Sequence, residues 1–170
     1  TKDHVKAGEF YEKAFELMPD DMDINIFRGL NYLALNDLDK ALDIFLENQK
    51  KFPGQHLILF NLGLIYFNKG NYDLAKEFLS DSYSLYQDAE TMNLLALSFF
   101  EIKEYENARN LALKLLEQYP DNINVLLLLA KSSVELGDSE GTVKYLEKIM
   151  EIFPEQPEAK ELYEKIKGVN

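Results

Sequence analysis

Residues 56–88 read HLILFNLGLIYFNKGNYDLAKEFLSDSYSLYQD. Leu59, Leu62, Gly63 and Tyr66 form an apolar pattern in a first helix-length block, Gly70 marks a stop, and Ala75 and Leu79 continue the pattern in a second block. The same spacing recurs on both sides. Prolines 19, 53, 120 and 154 are separated by 34, 67 and 34 residues. A period of about 34 residues predicts an all-α solenoid of stacked helix pairs, because one pair cannot bury its apolar face until a neighbour covers it. Function in such a chain is expected on a surface.

Counting each unit so that proline falls at position 32 puts residues 22–55, 56–88, 89–122 and 123–156 in register. Position 8 reads Gly29, Gly63, Ala96 and Ala130, small residues where two helices must approach closely. Position 11 reads Tyr32, Tyr66, Phe99 and Ser133. Position 20 reads Ala41, Ala75, Ala108 and Thr142, and position 24 reads Phe45, Leu79, Ala112 and Leu146. Between the two blocks, position 15 reads Asn36, Gly70, Lys103 and Gly137. Gly and Asn accept the left-handed conformation that ends a helix, so three of the four fit a stop there.

On these residues the chain resembles the tetratricopeptide repeat (TPR) family, whose pattern is small at position 8, aromatic at 11, Ala at 20 and Pro at 32. The resemblance implies a right-handed superhelical array of antiparallel helix pairs over nearly the whole chain, read as a single solenoid domain, 1–170. Departures fall in particular places. The third repeat is one residue short, with Gln87 where proline is expected, which predicts an irregular junction over residues 86–90. Asn25 and Arg28 occupy apolar family positions in the first full repeat, and Ser133 and Thr142 weaken the last. A partly buried ion pair with a nearby Asp or Glu is the expected role of Arg28.

Residues 1–21 align with the second half of a repeat, with Ala7, Tyr11, Ala14 and Pro19 at positions 20, 24, 27 and 32. The matching first helix is not in the sequence, and the chain starts with Thr1, so a longer parent continuing N-terminally is expected. Residues 157–170 are expected to cap the array through a charged amphipathic helix with Ala159, Leu162, Tyr163 and Ile166 on one stripe.

Composition narrows the function. Hydrophobic residues make up 46% of the 170, with no apolar run of the roughly 18 to 20 residues that a membrane helix needs. Zero Cys removes disulfides and thiolate chemistry. It fits a reducing cytoplasm, the default reading, and a Cys-poor periplasm alike, so the compartment stays open. Net charge is −12 and the only arginines are Arg28 and Arg109, which argues against a nucleic-acid partner, since neutralising phosphates takes a clustered basic face. Lys50 and Lys51 form the longest basic run and read as a solvated helix end. His4 and His56 lie 52 residues apart with no metal-ligand spacing around either. Acidic pairs such as Asp20/Asp21, Asp37/Asp39 and Glu104/Glu106 suit helix starts. With no phosphate-cradling glycine loop, nucleophile elbow or zinc motif, the chain is expected to be no enzyme and to need no cofactor or metal.

The family resemblance places the first helix of each pair along a concave groove. Its candidate partner-binding residues are Ile26, Leu30 and Leu33; Phe60, Asn61, Leu64 and Phe67; Asn93, Leu97 and Phe100; and Leu127 and Lys131, with Val134 following. Positions 2, 6 and 13 of each repeat belong to the same face. Residues 57–67 contain one polar residue, Asn61, and a helix apolar all round is normally covered all round. Only Lys131 supplies positive charge, so clamping of an acidic C-terminus is not expected. An apolar groove suits an amphipathic helix or an extended segment with large anchors, as in type III secretion chaperones of TPR form. The leading expectation is a protein-interaction module or scaffold. The alternatives are a self-associating scaffold, in which a homo-oligomer fills the groove, and the arm of a larger enzyme or secretion machine. A further alternative is that curvature hides the apolar stripe between neighbouring helices.

Overall fold

The computed structural model describes residues 2–168, and these form ten α-helices in two compact units that divide between residues 87 and 88. Unit 1 contains α1 (Lys2–Leu17), α2 (Met22–Ala34), α3 (Leu38–Lys51), α4 (His56–Asn68) and α5 (Tyr72–Leu85). Unit 2 contains α6 (Ala89–Glu101), α7 (Tyr105–Gln118), α8 (Ile123–Glu135), α9 (Ser139–Ile152) and α10 (Pro157–Lys167). No strand occurs among the described residues.

Local chemistry starts and stops each helix. The side chains of Asp21, Asp37, Asn71, Asp88, Asn122, Asp138 and Gln156 accept from backbone N–H groups of the first turns of α2, α3, α5, α6, α8, α9 and α10. These bonds satisfy donors that would otherwise have no partner. Glu104 stands at the N-cap of α7 but makes no such capping bond, and its carboxylate accepts instead from Asn107 Nδ2 at 2.7 Å. At the other end of each first helix the chain turns through one left-handed residue. Asn36, Gly70, Lys103 and Gly137 have φ of 60°, 75°, 66° and 73°. The residue after each donates its N–H to the carbonyl of position 11: Asp37 to Tyr32, Asn71 to Tyr66, Glu104 to Phe99 and Asp138 to Ser133. That is the hydrogen-bond pattern of a Schellman stop. Four turns are therefore built alike, including the one whose residue, Lys103, carries no preference for it.

Burial follows the 34-residue pattern. Ala41, Phe45, Ala75 and Leu79 in unit 1, and Ala108, Ala112 and Leu146 in unit 2, expose nothing to solvent. The first core gathers Ile26, Ala41, Phe45, Ile58, Leu62 and Ile65, and the core at the end of unit 2 gathers Leu126, Leu127, Ala130, Leu146, Ile149 and Ala159. Each first helix packs mainly on its own second helix, and unit 2 ends with α10 packed on α9.

Two departures from the apolar pattern, Asn25 and Arg28, have local partners. Asn25 is buried, and its amide donates to the carbonyls of Pro19 at 2.9 Å and Asp21 at 2.7 Å, tying down the turn before α2. Arg28 pairs with Glu12 of α1 at 3.1 Å and lies 3.8 Å above the Phe15 ring. Lys51 is bound as well: it donates to the carbonyl of Pro19 and pairs with Asp20 at 2.6 Å. Lys148 repeats the device in unit 2, reaching the carbonyl of Pro120 at 2.5 Å and Asp121 at 3.5 Å. In both units a lysine of the second helix thus holds the proline-bearing turn that precedes the first.

Candidate functional site

Within unit 2, Asn93, Leu97 and Phe100 of α6 face Leu127 and Lys131 of α8 across one concavity of about 280 Å³. All five are among the groove residues expected from sequence. Glu101, Asn124, Leu128 and Glu158 complete the lining. The floor is apolar, made by Leu97, Phe100, Leu127 and Leu128, while amide and charged groups stand around it. Leu127 and Leu128 are themselves buried, so the α8 wall is rigidly held by the core behind it.

Charge at the rim is compensated. Lys131 Nζ lies 2.6 Å from Glu158 Oε1, a pair that joins α8 to the first turn of α10. The one cation expected in the groove is therefore already matched by a carboxylate, and half-exposed pairs of this kind contribute little stability. An acidic ligand finds no free cation there. Phe100 packs edge-on against Tyr105 at 5.4 Å. Partial burial first, then interaction with the carboxylates of Glu135 and Glu101, raises the Tyr105 phenol above its ordinary value.

Unit 1 treats its groove candidates differently. Ile26 is 5% exposed and belongs to the core with Phe45 and Ile58, and Leu33 packs against that same core. Asn61 is buried with its amide donating to the Leu57 carbonyl at 2.7 Å, a bond within its own helix. Phe60, Leu64 and Phe67 are half-buried, and Leu30 is exposed. Part of the apolar surface of α4 is covered from within: Phe67 meets Tyr72 edge-on at 5.2 Å and Phe60 sits 6.4 Å from His56. His56 is also bound at Nδ1 to Ser82 Oγ, 2.8 Å away, between α4 and α5. Leu57 remains the most open apolar residue of this helix.

Three lining residues not singled out individually from sequence stand at groove positions of the repeat: Asn124 at position 2, Leu128 at position 6 and Glu101 at position 13. Their register carried the signal. Glu158 comes from α10, outside the repeat register, and nothing in the period points to it. Among the described residues no cluster of three or more His, Asp or Glu side chains could hold a metal ion, and no helix is long and apolar enough to cross a membrane.

Two models of one family, each described as tetratricopeptide repeat, match residues 57–88 and 100–166, together more than half of the chain. Among curated proteins the chain is 28% identical over 131 residues to human tetratricopeptide repeat protein 21A, covering 75% of this chain. It spans only 10% of that relative's length. Among solved structures it is similar to YrrB, a TPR protein with an unusual peptide-binding site, with a TM-score of 0.85 and 19% identity over 94% of this chain and 83% of that one. It is also similar to MamA from Desulfovibrio magneticus RS-1, with a TM-score of 0.82 and 19% identity over 91% and 88% of the two chains. These likenesses show the fold, an all-α solenoid of paired helices.

Proposed function

The chain belongs to the tetratricopeptide repeat family, and from that premise we propose that it is a non-catalytic interaction module or scaffold that holds an apolar segment of a protein partner, with the unit 2 concavity as its main seat. The observation that carries the reading is the convergence of Asn93, Leu97, Phe100, Leu127 and Lys131 on one hollow with an apolar floor. Asn93 and Asn124 stand where they can hydrogen-bond the backbone of a bound segment, and the floor accepts a large aliphatic or aromatic side chain. YrrB, with a peptide-binding site on the same fold, supports this class of ligand.

Magnitudes set the kind of ligand. Burying one Leu or Phe side chain gains about 1.5 to 3 kcal/mol, and association costs on the order of 4 to 15 kcal/mol. A single anchor in this hollow does not hold a partner. Four anchors at the favourable end of both ranges reach about the micromolar range, so the occupant is an extended or helical stretch that engages the hollow and continues beyond it.

The test is selection from a random peptide library displayed against the whole chain, followed by titration of the selected peptides. Peptides rich in Leu, Ile, Phe or Trp are expected, and Leu97→Glu/Phe100→Glu should weaken them by at least about tenfold, roughly 1.4 kcal/mol, at unchanged helicity. Equal binding by the double variant would overturn the assignment of the seat. Recovery of no peptide, with mass rising with concentration in wild type only, would replace it by self-association.

A further inference from the structure

The occupant of the unit 2 hollow can be described further from charge, an inference that rests on that hollow being the seat. Compensation along the rim ends with the pair of Lys131 and Glu158. Glu101 lines the hollow beside Phe100 and makes no ion pair among the described residues. It is the last residue of α6, as Glu135 is the last residue of α8. Both are exposed, and neither helix has a basic residue in its last turn. Next to burial, their two carboxylates are what raise the phenol of Tyr105, whose ring packs on Phe100 at 5.4 Å. The two carboxylates thus stand at one end of the hollow, the end that Phe100 closes.

This arrangement runs against helix electrostatics. A helix C-terminus already carries the equivalent of about half a negative elementary charge, so a cation is the stabilising choice there. Here two such ends carry glutamate. At the same position of the repeat unit 1 has Ala34 and Asn68, so the packing shared by the repeats does not require an acid. Beside the carboxylates lies the apolar floor of Leu97, Phe100, Leu127 and Leu128, and low-dielectric walls focus the field of charges set against them. The only cation lining the hollow, Lys131, is engaged at 2.6 Å by Glu158 and leaves no net charge at its own end.

We propose that the segment held in the unit 2 hollow is basic and amphipathic, with an aliphatic or aromatic anchor on the floor and a lysine or arginine beside it that reaches Glu101 and Glu135 at the ends of α6 and α8. Exposed ion pairs add little affinity and are screened by salt. The floor therefore supplies retention, while the carboxylates select among apolar segments and speed encounter with the cationic ones.

Three labelled peptides test this, all with the core Leu-Ser-Phe-Leu-Ser-Phe, flanked on each side by two lysines, two serines or two glutamates. Each is titrated against the full chain by fluorescence anisotropy. At low salt the lysine peptide should bind about tenfold or more tighter than the glutamate peptide, and the gap should close to about threefold or less at about 0.5 M salt. Because the chain carries a net charge of −12, variants decide where the cation sits. Glu101→Gln/Glu135→Gln should weaken the lysine peptide by about fivefold or more and leave the serine peptide within about twofold. Asp43→Asn/Glu47→Gln, which removes the same charge from exposed positions of α3, should shift neither by more than about twofold. Equal affinity of the lysine and glutamate peptides, or a lysine preference lost equally in both variants, would overturn the proposal. The seat is read separately, from Leu97→Ser/Phe100→Ser at unchanged helicity. If that variant weakens the serine peptide while lysine and glutamate peptides bind alike, the seat stands and the charge assignment falls. If it weakens none of the three, or if none binds saturably, the seat falls and this inference with it.

Discussion

The two units fill the same packing level with different side-chain sizes. In unit 1 the facing positions 8 and 24 are Gly29 with Phe45 and Gly63 with Leu79; in unit 2 they are Ala96 with Ala112 and Ala130 with Leu146. A Cβ placed on either glycine of unit 1 would lie 2.5 Å from the residue opposite. In unit 1 the glycine makes room for the large residue opposite it, a matching of sizes consistent with the near-crystalline packing of protein interiors; unit 2 holds both a smaller pair, Ala96 with Ala112, and a larger one, Ala130 with Leu146.

The most severe way to break the comparison is to give unit 1 the small residue of unit 2 without its partner. Phe45 is fully buried against Ile26, Ile58, Leu62 and Ile65 in the first core. Phe45→Ala, which copies Ala112, should cost about 3 to 5 kcal/mol because Gly29 contributes no side chain to fill the space. Urea unfolding followed by hydrogen exchange at α2–α4 amides measures it. A loss below about 1 kcal/mol would mean that the site collapses around the smaller residue and that Gly29 and Phe45 are not matched in size.

A smaller effect tests the rule in the opposite direction. Gly63→Ala gains roughly 1 kcal/mol in helix propensity but drives a methyl into Leu79, so a net loss of about 1 to 2 kcal/mol is expected once overpacking is included. Adding Leu79→Ala gives the Ala/Ala pair of unit 2. The double-mutant cycle should then show a favourable coupling of about 1 kcal/mol or more between the two sites. Strict additivity would show that Leu79 turns aside without cost.

Why so much of this was legible in sequence, and where reading stopped, follows from the same physics. Positions 20 and 24 recur as buried residues because each pair buries the same stripe, so the fold could be read from four repeats in register, of which Gly63, Tyr66, Ala75 and Leu79 belong to the best match. Asn25 read as a defect because its partners are the backbone carbonyls of Pro19 and Asp21, and sequence does not display carbonyl geometry. Ile26 at position 5 and Leu97 at position 9 of their repeats are both groove-facing by register, yet Ile26 joins a core while Leu97 lines a hollow. Glu158 could not be read at all: it reaches Lys131 from α10, which has no place in the 34-residue count.

The finest distinction concerns the turn between paired helices. Asn36, Gly70 and Gly137 suit a left-handed residue, Gly because it lacks a Cβ and Asn because its short polar side chain tolerates that region. Lys103 takes φ of 66° with neither advantage, and its N–H still closes on the Phe100 carbonyl at 3.0 Å. For such a residue the left-handed region costs about 1 to 2 kcal/mol, and replacing it by glycine gives back roughly half to one kcal/mol through the greater freedom of the unfolded chain. Lys103→Gly should accordingly stabilise the chain by about 0.5 to 1 kcal/mol, seen as a higher urea midpoint with unchanged slope. Gly70→Lys in unit 1 should lower stability by a similar amount. If Lys103→Gly is instead destabilising, the lysine is held by contacts of its own aliphatic stem, and the equivalence of the two turns is one of backbone shape only.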